Sequence, residues 1–271
     1  MKVMFRYGLV AWFALAGGPS ACSRLDVSVD KGFVLVPLPE SALHGHRAAP
    51  RIRNRNGSSS NWAGYAVASR LESPLSGSVS DVQGTWTVPS VSATDSDHTY
   101  SSAWAGIDGY SDRTVEQIGT EHDMTPDGPV NFAWFEMYPK FGYRILNFPV
   151  EPGDKISAEV EYMGNNQFRL TIVNMTRDIT FSITQHQKAR RQSAEWIVEA
   201  PFSGGTLPLA DFGTLTFSGC TATVSGHHGT ISDPAWQHDG ITMTLEDGTV
   251  KAATSNLSGG GSGFSVTWKH E

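Results

Sequence analysis

SAEWIVEAP, residues 193–201, reads as a β-strand whose two faces differ in kind. With side chains alternating every residue, Glu195, Ile197 and Glu199 share one face, and Trp196 and Val198 share the other. The second face suits a core. The first carries two carboxylates among apolar neighbours, which are costly to bury unless something uses them. Four strand residues hold the two acids about 13 Å apart, so both cannot belong to one reaction centre. Alternation alone does not choose between them.

The same pattern recurs along the chain. From residue 58 onward, alternating runs include YAVAS (65–69), GTWTVP (84–89), YSSAWAGI (100–107), TVEQIG (114–119), FAWFEMYP (132–139) and ISAEVEYM (156–163). FRLTIVNM (168–175), ITFSIT (179–184), EWIVEA (195–200), GTLTFSG (213–219), ITMTLED (241–247) and FSVTW (264–268) continue it, with Gly, Pro, Asp and Asn clusters between. Some twelve short strands without a long 3.6-residue period predict an all-β sandwich or barrel. The SGGGSG run at 258–263 reads as a loop before the last strand. In FAWFEMYP, Trp134, Glu136 and Tyr138 align opposite Phe135 and Met137. In AWAGID, Trp104, Gly106 and Asp108 align; in TVEQIG, Val115, Gln117 and Gly119 align opposite Glu116 and Ile118. Aromatics mixed with carboxylates or an amide on several strands describe a binding cleft on one sheet.

Composition bounds the rest. The chain has 271 residues, 39% of them hydrophobic and 17% charged, enough for a sizeable core. Lys2 and Arg6 followed by the apolar run GLVAWFALA (8–16) and PSAC predict an export signal over residues 1–22, too short to be a stable membrane span. A secreted location follows, with lipid attachment through Cys22 as the alternative. Residues 23–57 carry a net charge of +3 and residues 58–271 a net charge of −12. A basic leader ahead of an acidic body suggests a removable pro-segment that docks by charge, or else a linker. An acidic body argues against nucleic acid as a partner. With Cys22 and Cys220 the only cysteines, no disulfide framework is implied. Cys220 reads as a small buried apolar residue, and His227–His228 as a surface turn rather than a metal site. No G-x-S-x-G, H-E-x-x-H, P-loop or dinucleotide motif occurs.

Taken in order, SSNWAGYAV (59–67), GTWTVPSV (84–91), AWAGIDGY (103–110), TVEQIGTEHD (114–123), AWFEMYP (133–139), PGDKISAEV (152–160), AEWIVEAP (194–201) and DFGTLTFSGC (211–220) resemble the glutamic peptidases of family G1, the eqolisins. The resemblance covers most of residues 58–271. It implies a jelly-roll sandwich of two curved antiparallel sheets, about seven strands each, cutting peptides at acidic pH without metal or cofactor. Carried over by motif, it implies Gln117 and Glu199 as catalytic residues, with Glu136, Asp108, Trp104 and Tyr138 lining the same cleft. The expected partner is a protein or peptide substrate, and the expected state a monomer. The fungal members' cysteines are missing here, so their disulfides are not carried over.

A Gln/Glu pair suits acid proteolysis. A glutamate with an ordinary pKa of about 4.3 can be ionised where histidine is protonated and useless as a base. An amide donates hydrogen bonds at any pH, as an oxyanion requires. Glu136 could tune Glu199 by like charge or hold Gln117 by a hydrogen bond. Aromatics with two carboxylates also suit a glycoside hydrolase, or a lectin-like carbohydrate-binding sandwich, as alternatives.

Overall fold

A computed structural model of the chain describes residues 32–38, 57–140, 142–203 and 205–271. The signal at 1–22, Cys22 and the basic residues of the leader lie outside the described residues.

Two sheets pack face to face. Sheet A runs β1 (Val34–Pro37), β8 (Tyr143–Leu146), β7 (Gly128–Tyr138), β6 (Val115–Thr125), β5 (Ser102–Ile107), β12 (Ser193–Glu199), β3 (Trp62–Ala68) and the first part of β15 (Gln237–Thr244). Sheet B runs β11 (Ile179–His186), β10 (Gln167–Asn174), β9 (Lys155–Gly164), β4 (Val79–Thr87) and β13 (Thr214–Val224). It continues through β17 (Phe264–Trp268) and β16 (Val250–Thr254) to the second part of β15, with β14 (His227–Thr230) also on β13. β2 (Ser58–Ser59) adds to β15 in parallel; every other ladder is antiparallel. β15 therefore belongs to both sheets: Gln237–Ile241 pair with β3, and Met243–Thr244 with β16.

The core lies between the sheets, where alternation sends Ile118, Phe135, Trp196 and Val198 from sheet A against Val82, Trp86, Leu170, Phe217 and Cys220 from sheet B. Two indoles cross the gap in opposite directions. Trp196 of β12 donates Nε1–H to the Gln83 carbonyl of β4 at 2.7 Å, and Trp86 of β4 donates to Thr120 Oγ1 of β6 at 2.9 Å. Each buried N–H thus finds an acceptor on the facing sheet. Gly84 is what lets Trp196 lie down: a Cβ there would stand 2.5 Å from Trp196 Cδ1.

All twelve strands read from alternation are present. β1, β2, β8, β14 and β16 are additional, and raise the described strands above seven per sheet. His227–His228 belong to the four-residue strand β14 rather than a plain turn, with His227 Nε2 3.1 Å from Asp233 Oδ2. Leader residues supply the edge strand β1. That described part, which carries no charged side chain, joins by backbone pairing and by Phe33 and Leu35 against the core. Phe33 sits edge-on to Phe181 at 5.4 Å. Among the described residues, no helix is long and apolar enough to cross a membrane.

Gly84→Ala should cost about 1–3 kcal/mol, because the overpacked methyl meets an indole pinned at both ends. Urea unfolding reads this as a lower midpoint at unchanged slope. An unchanged midpoint would mean that Trp196 can shift at no cost.

Candidate active site

The outer face of sheet A, turned away from sheet B, collects the other half of each alternation. Reading across the strands, Glu195 of β12 stands beside Gly106 of β5, Gln117 of β6 and Glu136 of β7. Two residues along, Ile197, Trp104, Gly119 and Trp134 form the next row, and beyond them come Glu199, Ser102, Glu121 and Phe132. Glycine at 106 and 119 keeps the middle strands low. A Cβ at Gly119 would stand 2.6 Å from Trp104 Cβ, and one at Gly106 would stand 3.1 Å from Gln117 Cβ. Gln117, Trp104, Glu195 and Glu199 are fully buried.

Glu199 is held at both oxygens. Trp104 Nε1–H donates to Oε2 at 2.8 Å and Asn61 Nδ2–H to Oε1 at 3.0 Å. Asn61 is fixed in turn by Ser59, whose hydroxyl donates to Asn61 Oδ1 at 3.1 Å and accepts from the Trp62 amide at 3.1 Å. Trp104 is wedged edge-on to Trp62, with ring centroids 5.1 Å apart. On the next strand but one, Gln117 Nε2–H donates to Glu136 Oε2 at 2.8 Å, so Glu136 orients the Gln117 amide. Gln117 Oε1 makes no hydrogen bond among the described residues, and Nε2 carries a second N–H besides the one given to Glu136.

Gln117, Glu136, Trp104 and Glu199 thus share one face, with β5 between Gln117 and Glu199 and Tyr138 at the far end of β7. Asp108 does not continue its strand's alternation. It adopts φ 70°, just past β5, and its carboxylate accepts from the Arg191 and Gln192 amides, both at 2.6 Å. It clamps the loop leading into β12, so it positions that strand rather than facing a ligand. Asn61 and Glu121 were not singled out in the sequence. The only signal for Asn61 was its place in SSNW ahead of a strand; Glu121 shares the parity of Gln117.

The carboxylates on and near this sheet are crowded and dry. Burial pushes Asp108 up to about 7, with the Asp112 charge adding to it and the backbone donors opposing. Burial likewise raises Glu195, Glu116 and Glu121 well above the ordinary range, the last with help from the Glu199 charge. Glu195 has the Ser193 hydroxyl and the Tyr110 amide close by, but burial outweighs both. His122 points into the core beside Thr120 and is lowered to about 3 by burial. It is turned away from the cleft. No group of three or more metal-ligating side chains occurs among the described residues.

Residues 60–268 match the model of the Peptidase A4 family. Among solved structures, scytalido-glutamic peptidase with a transition state analog inhibitor aligns at a TM-score of 0.63 and 25% identity, over 78% of this chain and 98% of that one. Aspergilloglutamic peptidase from Aspergillus niger aligns at 0.53 and 30% identity, over 63% of this chain and 99% of that one. SCP-B, an eqolisin in complex with the tripeptide Ala-Ile-His, aligns at 0.60 and 23% identity, over 78% and 98%, a likeness of fold. A search of curated protein sequences found no match.

Raised carboxyl groups tie stability to acidity. Each binds a proton in the folded state at a pH where the unfolded chain, with pKa values of about 4, has already lost it. Their contribution is complete below the unfolded values and is lost as pH rises through the folded ones, about 7 for Asp108. The thermal midpoint should therefore fall as pH is raised from about 4 to about 8. A midpoint that climbs over this range would contradict the assignment.

Proposed function

The chain belongs to the Peptidase A4 family of glutamic peptidases, and we propose that it is a secreted endopeptidase cutting polypeptides at acidic pH with Gln117 and Glu199 as the reacting pair. The observation that carries this reading is the double clamp on Glu199 by Trp104 and Asn61, on the same face as a Gln117 amide aimed by Glu136. Both clamps are N–H donors, so neither can take the proton that Glu199 must accept.

In this mechanism Glu199 takes a proton from a water molecule as the water oxygen bonds to the scissile carbonyl carbon. The Gln117 Nε2–H not used by Glu136 donates to the oxygen that becomes negative. Glu199 then returns its proton to the departing nitrogen, the C–N bond breaks, and a carboxylic acid and an amine leave. Each group ends as it began. The pair does not need an aspartic dyad, which is the basis for expecting insensitivity to pepstatin. A glycoside hydrolase would instead need two acids as its essential pair.

Casein cleavage should appear in acid, at about pH 3–4, where a histidine base would be protonated and out of use. Gln117→Ala should lose roughly 100- to 1,000-fold in kcat, as for the loss of one oxyanion donor. Glu199→Gln should lose all measurable turnover. Full proteolysis by either variant would sink the mechanism.

The leader fits the same reading. Residues 1–22 direct export and residues 23–57 form a pro-segment removed in acid, where protonated carboxyls weaken the hold of the acidic body on a basic leader. Apolar contacts at Phe33 and Leu35 do not respond to acid, so removal calls for a cut beyond Leu38. After acid incubation, N-terminal sequencing should find a new start between residues 39 and 58. A chain that stays full length and is fully active would count against a pro-segment.

A further inference from the structure

At the edge of sheet A, the leader shows how another polypeptide would be held. Val34–Pro37 pair in antiparallel register with Leu146–Tyr143, and the Leu38 amide donates to the Gly142 carbonyl at 2.9 Å. On the outer side of this strand, Val34 and Val36 are 51% and 41% exposed, whereas Leu38 is only 5% exposed. Leu38 belongs to the apolar cluster of the cleft face, with Trp104, Trp134 and Tyr138. Its neighbour there is bare backbone. A Cβ at Gly142 would stand 3.0 Å from Leu38 Cδ1 and 3.5 Å from Glu136 Cβ. Gly142 does not have a positive φ, so its backbone does not demand glycine; the room does. The notch thus lies against Glu136, which orients the Gln117 amide.

We infer that this notch is a substrate side-chain subsite. The polypeptide to be cut adds to β8 as an extended strand in the place of β1 and sets a branched aliphatic residue, leucine foremost, where Leu38 sits. The inference rests on the peptidase reading and extends it to substrate preference. Strand addition draws affinity from main-chain hydrogen bonds that any sequence can make and takes specificity from alternate side chains. Here two of the three outward positions face solvent, so one position carries the selection. An aliphatic side chain fits because the lining is aromatic and aliphatic, and the nearest carboxylate is already engaged by Gln117. A charged side chain would lose its water there without a partner.

The test uses the active enzyme after acid processing has severed the leader, on denatured protein, with cleavage sites mapped by mass spectrometry. Leucine or another branched aliphatic residue should be enriched at one fixed position relative to the cut. In Gly142→Val, which fills the notch, kcat/KM for a peptide with leucine at that position should fall at least tenfold, while its alanine counterpart stays within twofold. Independently of that variant's folding, the peptide FVLVPL (residues 33–38) should inhibit the unaltered enzyme competitively, at least tenfold better than FVLVPD. Absence of any aliphatic preference, equal loss on both peptides with folding intact, or equal inhibition by the two hexapeptides overturns the subsite while leaving the peptidase reading intact. Absence of all cleavage overturns both.

Discussion

Everything on the cleft side of this molecule depends on where one indole lies. Trp196 points into the sandwich, rests on Gly84 and donates to the Gln83 carbonyl, which fixes β12 in rotation as well as in position. Because a strand's side chains alternate, fixing Trp196 inward fixes Glu195, Ile197 and Glu199 outward. A slip by one residue would bury the acids in the core and expose the indole. Trp86 makes the reciprocal bond from sheet B to Thr120, which fixes β6 in the same way and turns Gln117 outward. The two strands proposed to carry the reaction are thus each tied, by a tryptophan hydrogen bond, to the sheet that takes no part in it. Between them, Gly106 and Gly119 keep β5 and β6 free of side chains that would separate the functional groups.

The second constraint is electrostatic. Glu121, Glu136, Glu195 and Glu199, gathered on one buried face around the Gln117 amide, would be unfavourable as a set of anions. Burial pushes Glu121 and Glu195 towards the protonated form, and the Glu199 charge adds to the push on Glu121. Glu199 differs in its surroundings: two N–H donors meet its oxygens, whereas neither oxygen of Glu195 makes a hydrogen bond of ordinary geometry among the described residues. The two acids of β12 share a face and a strand, yet one is dressed as a hydrogen-bond acceptor and the other is stored dry. The choice that alternation left open is thus supported by local chemistry, with Glu195 joined to the Asp108, Asp112 and Tyr110 neighbourhood at the end where the loop before β12 is clamped.

Much of this arrangement is legible in the sequence alone. Period-two runs of five or more residues located the longer strands and sorted Gln117 from Glu116 and Trp134 from Phe135, because packing against one core enforces the pleat. Strands of four residues or fewer, such as β8 and β14, were not read: they are too short to establish a period, and their neighbours create them. Asp108 was placed with Trp104 by parity, but parity ends where the backbone turns left-handed, and its carboxylate goes to the amides of Arg191 and Gln192. Asn61 is a partner of Glu199 across 138 positions of sequence, and no local pattern encodes such a contact. Motif resemblance reached Glu199; only the fold reaches what holds it.

The leader brings these constraints together at the sheet edge. β8 would present a row of unpaired backbone groups beside a cleft that handles polypeptides, and an open edge pairs with any extended chain. β1 satisfies that edge with the chain's own residues, and does so by the interaction a peptide ligand would use. Affinity for an extended backbone cannot discriminate self from substrate, since both offer the same amides and carbonyls. Discrimination must therefore lie in side chains and in covalent connection. The tether makes the leader's binding intramolecular, which raises its effective concentration far above that of free chains. Cutting the tether abolishes that advantage without altering a single contact, so an edge that is closed in the intact chain opens to other peptides once the leader is severed.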